Sequence, residues 1–174
     1  FLYVSDRILD RGLEPLFPDL RGADMVTSDS YQPAPDARRF ETWEFQWGLV
    51  LATGAAARYA LEIGLDPIRD RARKLALHLR TELAAVPGVR VLDRGSDLGA
   101  IVTASVAGHD PASLVRQLRD RGVNTSSQTR LDAVLDYDAK KVEGALRVSP
   151  HYYNTEEELE VFLDSLREIV GNTA

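Results

Sequence analysis

Among the residues of this chain, Arg147 has the type and setting that best fit chemistry. It lies in an apolar run, Ala145 to Ser149. A polar aromatic turn follows, Pro150-His151-Tyr152-Tyr153-Asn154, and then a helix start at Thr155-Glu156-Glu157-Glu158. A guanidinium is planar and permanently charged, and its fork can hold a carboxylate through two parallel hydrogen bonds. An arginine at a strand end, shortly before a helix, is therefore a candidate anion anchor. The competing reading is an ion pair with a surface neighbour, which contributes little to stability.

The other reactive side chains have blander settings. The chain has no cysteine, which removes disulfides, thiolate metal sites and a cysteine nucleophile from these residues. His78 and Lys74 fall on the polar face of a helix, and His109 adjoins a helix cap. Lys140 and Lys141 sit in a polar loop. Asp132, Asp136 and Asp138 are close in sequence but lack the ligand ladder, glycine and closing glutamate of a calcium loop, so no metal site is expected. His151 and Tyr152, just beyond Arg147, either line a cleft or shape the helix entry.

The elements that must position Arg147 follow from periodicity. At 174 residues and 44% apolar content, the chain can bury about 70% of its unfolded surface, which suits one domain with or without an extension. Lys+Arg number 21 against 27 Asp+Glu, a net charge of −6, so neither nucleic acid nor a membrane surface is expected as a partner. Phe1 to Val4 reads as a short strand, and Glu14 to Arg38 holds too many prolines and polar breakers for a regular element. Phe40 to Leu65 reads as a helix: no charge falls between Phe45 and Ala57, and the run is too short to span a membrane. Burial in a domain core is its leading reading, a subunit or interdomain interface the other.

Pro67 to Ala85 is amphipathic, with Ile68, Ala72, Leu75, Leu79 and Leu83 on one face. Val89 to Leu92 and Ala100 to Val106 predict antiparallel strands joined by a short loop. Asp110 caps a helix carrying Leu114, Val115 and Leu118, and Val123 to Ser126 predicts a further strand. Ser127 to Glu143 reads as irregular. Ala145 to Ser149 is the last strand, and Thr155 with Glu158 forms a capping box for the closing helix. The order of elements gives an α+β fold: a two-layer small domain in which a mostly antiparallel sheet is covered by helices. The expected division is residues 1–40, an N-terminal strand and extended linker, and residues 41–174, the small domain.

Four stretches then occur in a telling order: Arg38-Arg39-Phe40-Glu41, the Gly/Ala helix ending Leu61-Glu62-Ile63-Gly64-Leu65, Val86-Pro87-Gly88-Val89, and Leu146-Arg147-Val148-Ser149-Pro150-His151-Tyr152-Tyr153-Asn154-Thr155. Together they resemble the C-terminal portion of a class V aminotransferase. This is the pyridoxal phosphate (PLP)-dependent, fold-type I group that includes cysteine desulfurases and isopenicillin N epimerase-like enzymes. The resemblance covers nearly the whole chain. It implies that Arg147 binds the substrate α-carboxylate, that PLP is the cofactor, and that the protein is a homodimer acting on an amino acid or keto acid.

The resemblance also implies that the Schiff-base lysine lies upstream of Phe1. No catalytic residue is then expected in this chain, which alone would be inactive. The usual Gly-Thr pair of the phosphate site is replaced by Trp43-Glu44, leaving Thr42 as the candidate cofactor-binding hydroxyl. A desulfurase would carry a cysteine after Val123-Asn124-Thr125-Ser126, and an arginine near Ser126. With neither present, the expectation is transaminase, epimerase or lyase chemistry and not cysteine desulfuration. The absence of an initiator Met, signal or transit pattern reads as a piece of a longer product, with the cytoplasm as its default location. The alternative is a non-catalytic α+β module that binds a ligand or a protein through the same sheet.

Overall fold

The computed structural model describes residues 2–171, and its contacts divide the chain into Phe1–Arg58 and Tyr59–Ala174. The expected boundary between residues 40 and 41 thus falls inside the first unit. Of the strand expected at the N-terminus, Phe1 lies outside the described residues, and residues 2–4 form no strand.

The first unit begins with α1 (Asp6–Asp10) and continues into the antiparallel hairpin of β1 (Ala23–Thr27) and β2 (Ser30–Pro33). Breaker content had argued against any element here. The hairpin forms because Pro15, Pro18, Gly22 and Pro35 lie outside its strands, Pro33 ends β2, and Ser28-Asp29 make its tip, where the Thr27 hydroxyl donates to Asp29 Oδ1 at 2.7 Å. A 3₁₀ turn at Ala37–Phe40 then places Arg39, 8% exposed. Its Nε donates to the Ala34 carbonyl at 2.9 Å, and Nη1 donates to the carbonyls of Leu13 at 3.2 Å and Leu9 at 3.4 Å. One buried guanidinium thus satisfies three backbone carbonyls, two of them at and just after the end of α1 and the third just after β2. Gly22 packs so closely that a β-carbon would lie 2.6 Å from the Arg39 carbonyl oxygen.

The division between the units falls inside α2 (Trp47–Ile63), and no residue of this helix is buried among the described residues. This corrects the expectation of a core helix: Leu51 is 73% and Leu61 64% exposed. An apolar composition on every side does not by itself specify what surface covers it. Among the described residues, no single helix is long and apolar enough to cross a membrane.

The second unit runs α3 (Leu65–Ala85), β3 (Val89–Val91), β4 (Val102–Val106), α4 (Pro111–Asp120), β5 (Ser126–Thr129), α5 (Val134–Lys140), β6 (Gly144–Val148) and α6 (Glu156–Gly171). The strands form one sheet of order β3-β4-β6-β5 with every neighbouring pair antiparallel. This is the expected two-layer α+β domain. Leu75, Leu79 and Leu83 of α3, Leu114 and Leu118 of α4, and Phe162, Leu163 and Leu166 of α6 pack with Val102, Ala104, Val106 and Leu146 of the sheet. Alternation along β4 and β6 sends those residues to the helix face and their neighbours to the other.

Two local expectations shift. β5 begins at Ser126 instead of ending there, and the stretch expected to be irregular holds the end of β5, a 3₁₀ turn and α5. Thr129 and Asp132 make a reciprocal cap at that turn, and Tyr137, 2% exposed, anchors α5 against Leu92 and Ala145 on the second face of the sheet. The predicted capping box is present: Glu158 N donates to Thr155 Oγ1 at 3.2 Å, and Thr155 N to Glu158 Oε2 at 3.0 Å.

Across α3 and α6, Arg71 clamps Glu156 through bonds of 2.5 and 2.8 Å and also donates to the Asn154 carbonyl at 2.9 Å. That bond is the chief reason the Glu156 carboxyl falls from the usual 4.5 to about 2. A depressed carboxyl stabilises the fold above its unfolded value and loses that contribution as pH falls toward the folded one. Glu156→Gln should therefore lower the melting temperature at pH 7, with the difference from the parent shrinking between pH 4.5 and 2; thermal melts by circular dichroism check this. In β6, a β-carbon on Gly144 would lie 2.8 Å from the Gln128 carbonyl oxygen and 3.3 Å from Pro111 Cγ. Gly144→Ala is expected to destabilise the domain by about 1–3 kcal/mol through overpacking, measured by urea unfolding.

Candidate functional site

Arg147 is the fourth residue of β6, an inner strand of the sheet. Its predecessor Leu146 is fully buried in the helix-covered core, so alternation turns Arg147 to the second face, the side on which Ala145 meets Tyr137 and Leu92. Register sets Thr103 of β4 opposite it on one side and Ser126 of β5 on the other. Directly opposed residues on antiparallel strands have β-carbons about 4.5–5.5 Å apart. The Arg147 β-carbon therefore stands between those of two hydroxyl-bearing residues.

Arg147 Nε is buried and has no hydrogen-bond partner, and among the described residues no carboxylate pairs with the guanidinium. Three acids on the neighbouring segments are engaged elsewhere. Asp132 accepts from the Thr129 backbone and hydroxyl at 2.7 and 3.0 Å, Asp136 pairs with Lys140 at 2.6 Å, and Asp138 takes Arg130 at 2.5 and 2.8 Å. Arg130 and the Thr129 bonds hold the carboxyls of Asp138 and Asp132 below the ordinary aspartate range. A buried donor left without a partner costs about 1–3 kcal/mol, a cost that an acceptor brought from outside would remove. The salt-bridge reading of Arg147 finds no partner among the described residues, and a carboxylate fits the free fork.

Thr42 lies in the first unit, just past the 3₁₀ turn, and is exposed. Its hydroxyl donates to the Glu44 carbonyl at 3.2 Å. The nearby cation, Arg21, pairs with Glu41 at 3.3 Å and lies 5.3 Å from the Phe45 ring and 5.7 Å from that of Trp47. A phosphate dianion there would meet a hydroxyl already bonded, a cation already paired and two glutamates close by. The residues of this chain fit the carboxylate of a substrate at Arg147 and fit the phosphate of PLP poorly at Thr42.

His151 does not stand alone beyond Arg147. Its ring lies 4.4 Å from Tyr152 and 4.6 Å from Tyr153, and its backbone N–H donates to Asn154 Oδ1 at 2.8 Å. His78 faces α6, its Nε2 2.8 Å from Glu160 Oε1. Among the described residues no group of three or more His, Cys, Asp or Glu is placed to hold a metal ion. Thr103, opposite Arg147, was absent from the sequence reading, and only the strand register reveals it.

The model of the family Aminotransferase class-V matches residues 1–162. The chain belongs to that family. A probable cysteine desulfurase of Methanothermobacter thermautotrophicus is 25% identical over 98% of this chain, and a cysteine desulfurase of Synechococcus elongatus is 27% identical over 97% of it. The chain spans 43% and 26% of those two proteins. The apo cysteine desulfurase of Thermococcus onnurineus superposes with a TM-score of 0.82 at 25% identity, over 98% of this chain and 42% of that one. The fold is that of the C-terminal part of fold-type I PLP enzymes: C-DES, solved with glycine covalently linked to its PLP cofactor, shares it at a TM-score of 0.67 and 18% identity, over 95% of this chain and 40% of that one.

These relatives correct one expectation. Absence of cysteine had been taken to separate the chain from the cysteine desulfurases, yet the proteins it matches across nearly its whole length carry that name. One missing side chain is weak grounds for exclusion, because a single loop position can change while the sheet, its register and its clamp stay the same. The free guanidinium also predicts a stability effect. Arg147→Met should raise stability by about 1 kcal/mol, since it removes an unpaired buried donor and keeps the aliphatic stem. Urea unfolding checks this, and a loss of stability would make Arg147 a structural tether instead.

Proposed function

We propose that this chain is the C-terminal part of a PLP-dependent enzyme of the class-V family that acts on a sulfur-bearing amino acid such as L-cysteine. Its own contribution is the clamp on the substrate α-carboxylate. The observation that carries this reading is the Arg147 guanidinium on an inner strand with Nε buried and unpartnered. The names of the relatives and the fold shared with C-DES support the substrate class and the cofactor. When bound, PLP supplies the electron sink that labilises bonds at the substrate Cα.

The residues of this chain position and do not break bonds. Arg147 receives the carboxylate through its fork, Ser126 and Thr103 flank it across the strands, and the bound amino acid is thereby fixed in orientation. Lys74, on α3, lies 3.8 Å from Glu156, and Lys140 pairs with Asp136, which supports assigning the Schiff-base lysine to sequence preceding Phe1. With no cysteine in the chain, the released sulfur passes to an acceptor outside these residues. The assembly we propose is a homodimer in the cytoplasm, and the uncovered apolar side chains of α2 support an interface.

In the full-length protein, Arg147→Ala should raise KM for L-cysteine about 10–100-fold, the loss of a charge-assisted bond pair. The visible absorption of bound cofactor should be retained. Steady-state kinetics with a spectrum of each variant test this; unchanged KM and kcat would remove the clamp role.

A further inference from the structure

The unpaired state of Arg147 needs an explanation of its own, because one acid lies a single side chain away. Asp93 follows β3, and its Oδ1 accepts from both the backbone N–H of Thr103 at 3.0 Å and the Thr103 hydroxyl at 2.6 Å. Thr103 is the residue directly opposite Arg147 on β4. The Asp93 carboxylate thus stands next to the residue that Arg147 opposes across the strands. In a half-buried site a released acid and a base with one residue between them attract strongly.

What prevents pairing is on α3. Arg80 Nε donates to Asp93 Oδ2 at 2.7 Å, and Nη2 donates to the carbonyls of Gly99 at 2.9 Å and Ile101 at 2.8 Å. Side chains of Arg80 and Asp93 are 11% and 10% exposed. Both carboxylate oxygens are therefore occupied, and Arg80 itself is fixed by the loop that leads into β4. Buried pairs of this kind gain little net stability over apolar residues of similar volume, and their best-supported use is in specifying one arrangement.

We propose that Arg80, Asp93 and Thr103 are positioning residues whose joint effect is to keep Arg147 free for the substrate. The Arg80 ion pair locks the Asp93 carboxylate onto Thr103, so an acid one residue away from the clamp does not neutralise it. This inference rests on the reading of Arg147 as the carboxylate clamp. It assigns no bond-making role to the three residues, and predicts that releasing Asp93 creates an internal competitor for the substrate carboxylate.

The test uses the full-length protein and propionate, a carboxylate with no amino group, with propionamide as the uncharged control. Binding is read in every variant by isothermal titration calorimetry, with the Arg147 Nε–H NMR signal followed wherever that residue is present, and KM and kcat are measured for L-cysteine. Arg80→Met should weaken propionate binding and raise KM at least 10-fold with kcat changed less. Thr103→Val, which keeps a β-branched strand residue and so preserves the fold, should do the same several-fold. Adding Asp93→Asn to either variant should restore binding to within about 2-fold of the parent, because the competing charge is gone. A merely structural role would leave the defect in place in the double variants.

Propionate binding unchanged in Thr103→Val and Arg80→Met, or a loss that Asp93→Asn fails to repair, overturns the inference while a defect in Arg147→Ala still upholds the clamp. Binding unchanged in Arg147→Ala itself overturns the clamp reading and this inference with it.

Discussion

A charged guanidinium on an inner strand, with one of its donors buried and no acceptor against it, is the constraint on which the functional face of this domain depends. Such a group costs stability in the resting protein, so its surroundings have to be arranged to leave it alone. Four acids on the adjoining segments are bound elsewhere: Asp93 to Arg80 and Thr103, Asp132 to Thr129, Asp136 to Lys140, Asp138 to Arg130.

The sheet separates stability from recognition by its two faces. On one, α3, α4 and α6 cover Val102, Ala104, Val106 and Leu146 in a continuous apolar core. The other holds Thr103, Ser126 and Arg147 and is packed only in part, by Tyr137 against Leu92 and Ala145. Because side chains alternate along a strand, the core residues that fix β6 in register also fix where Arg147 points. The Arg71–Glu156 clamp and the Thr155–Glu158 capping box then hold the start of α6 directly after the Arg147 strand.

The first unit follows a different logic. It has a hairpin and turns organised around the carbonyl-binding guanidinium of Arg39, and it leaves Thr42 between glutamates with its hydroxyl engaged. Two arginines in one chain thus show opposite outcomes of burial. Arg39 is held by three backbone carbonyls and serves the fold, whereas Arg147 Nε is buried without a partner among the described residues. Membership of the class-V aminotransferase family agrees with a domain that positions a substrate, while cysteine at a single loop position proves a poor marker of which relatives the chain has.

Residue type and period were enough to read much of this protein. The α3 stripe, the β3–β4 pair, the Asp110 cap, the capping box before α6 and the strand carrying Arg147 are all local patterns, because the forces behind them act within a few residues. Arg147 stood out as an anion anchor for the same reason. Tertiary structure alone decided that Arg147 has no partner, that Thr103 and Ser126 flank it, and that Arg80 reaches across from α3 to hold Asp93. Register and long-range pairing depend on residues far apart in the chain, and no local pattern encodes them. The exposure of α2 and the fold of residues 127–143 were missed on the same grounds: whether an apolar or polar run finds a surface is settled by what the rest of the chain brings to it.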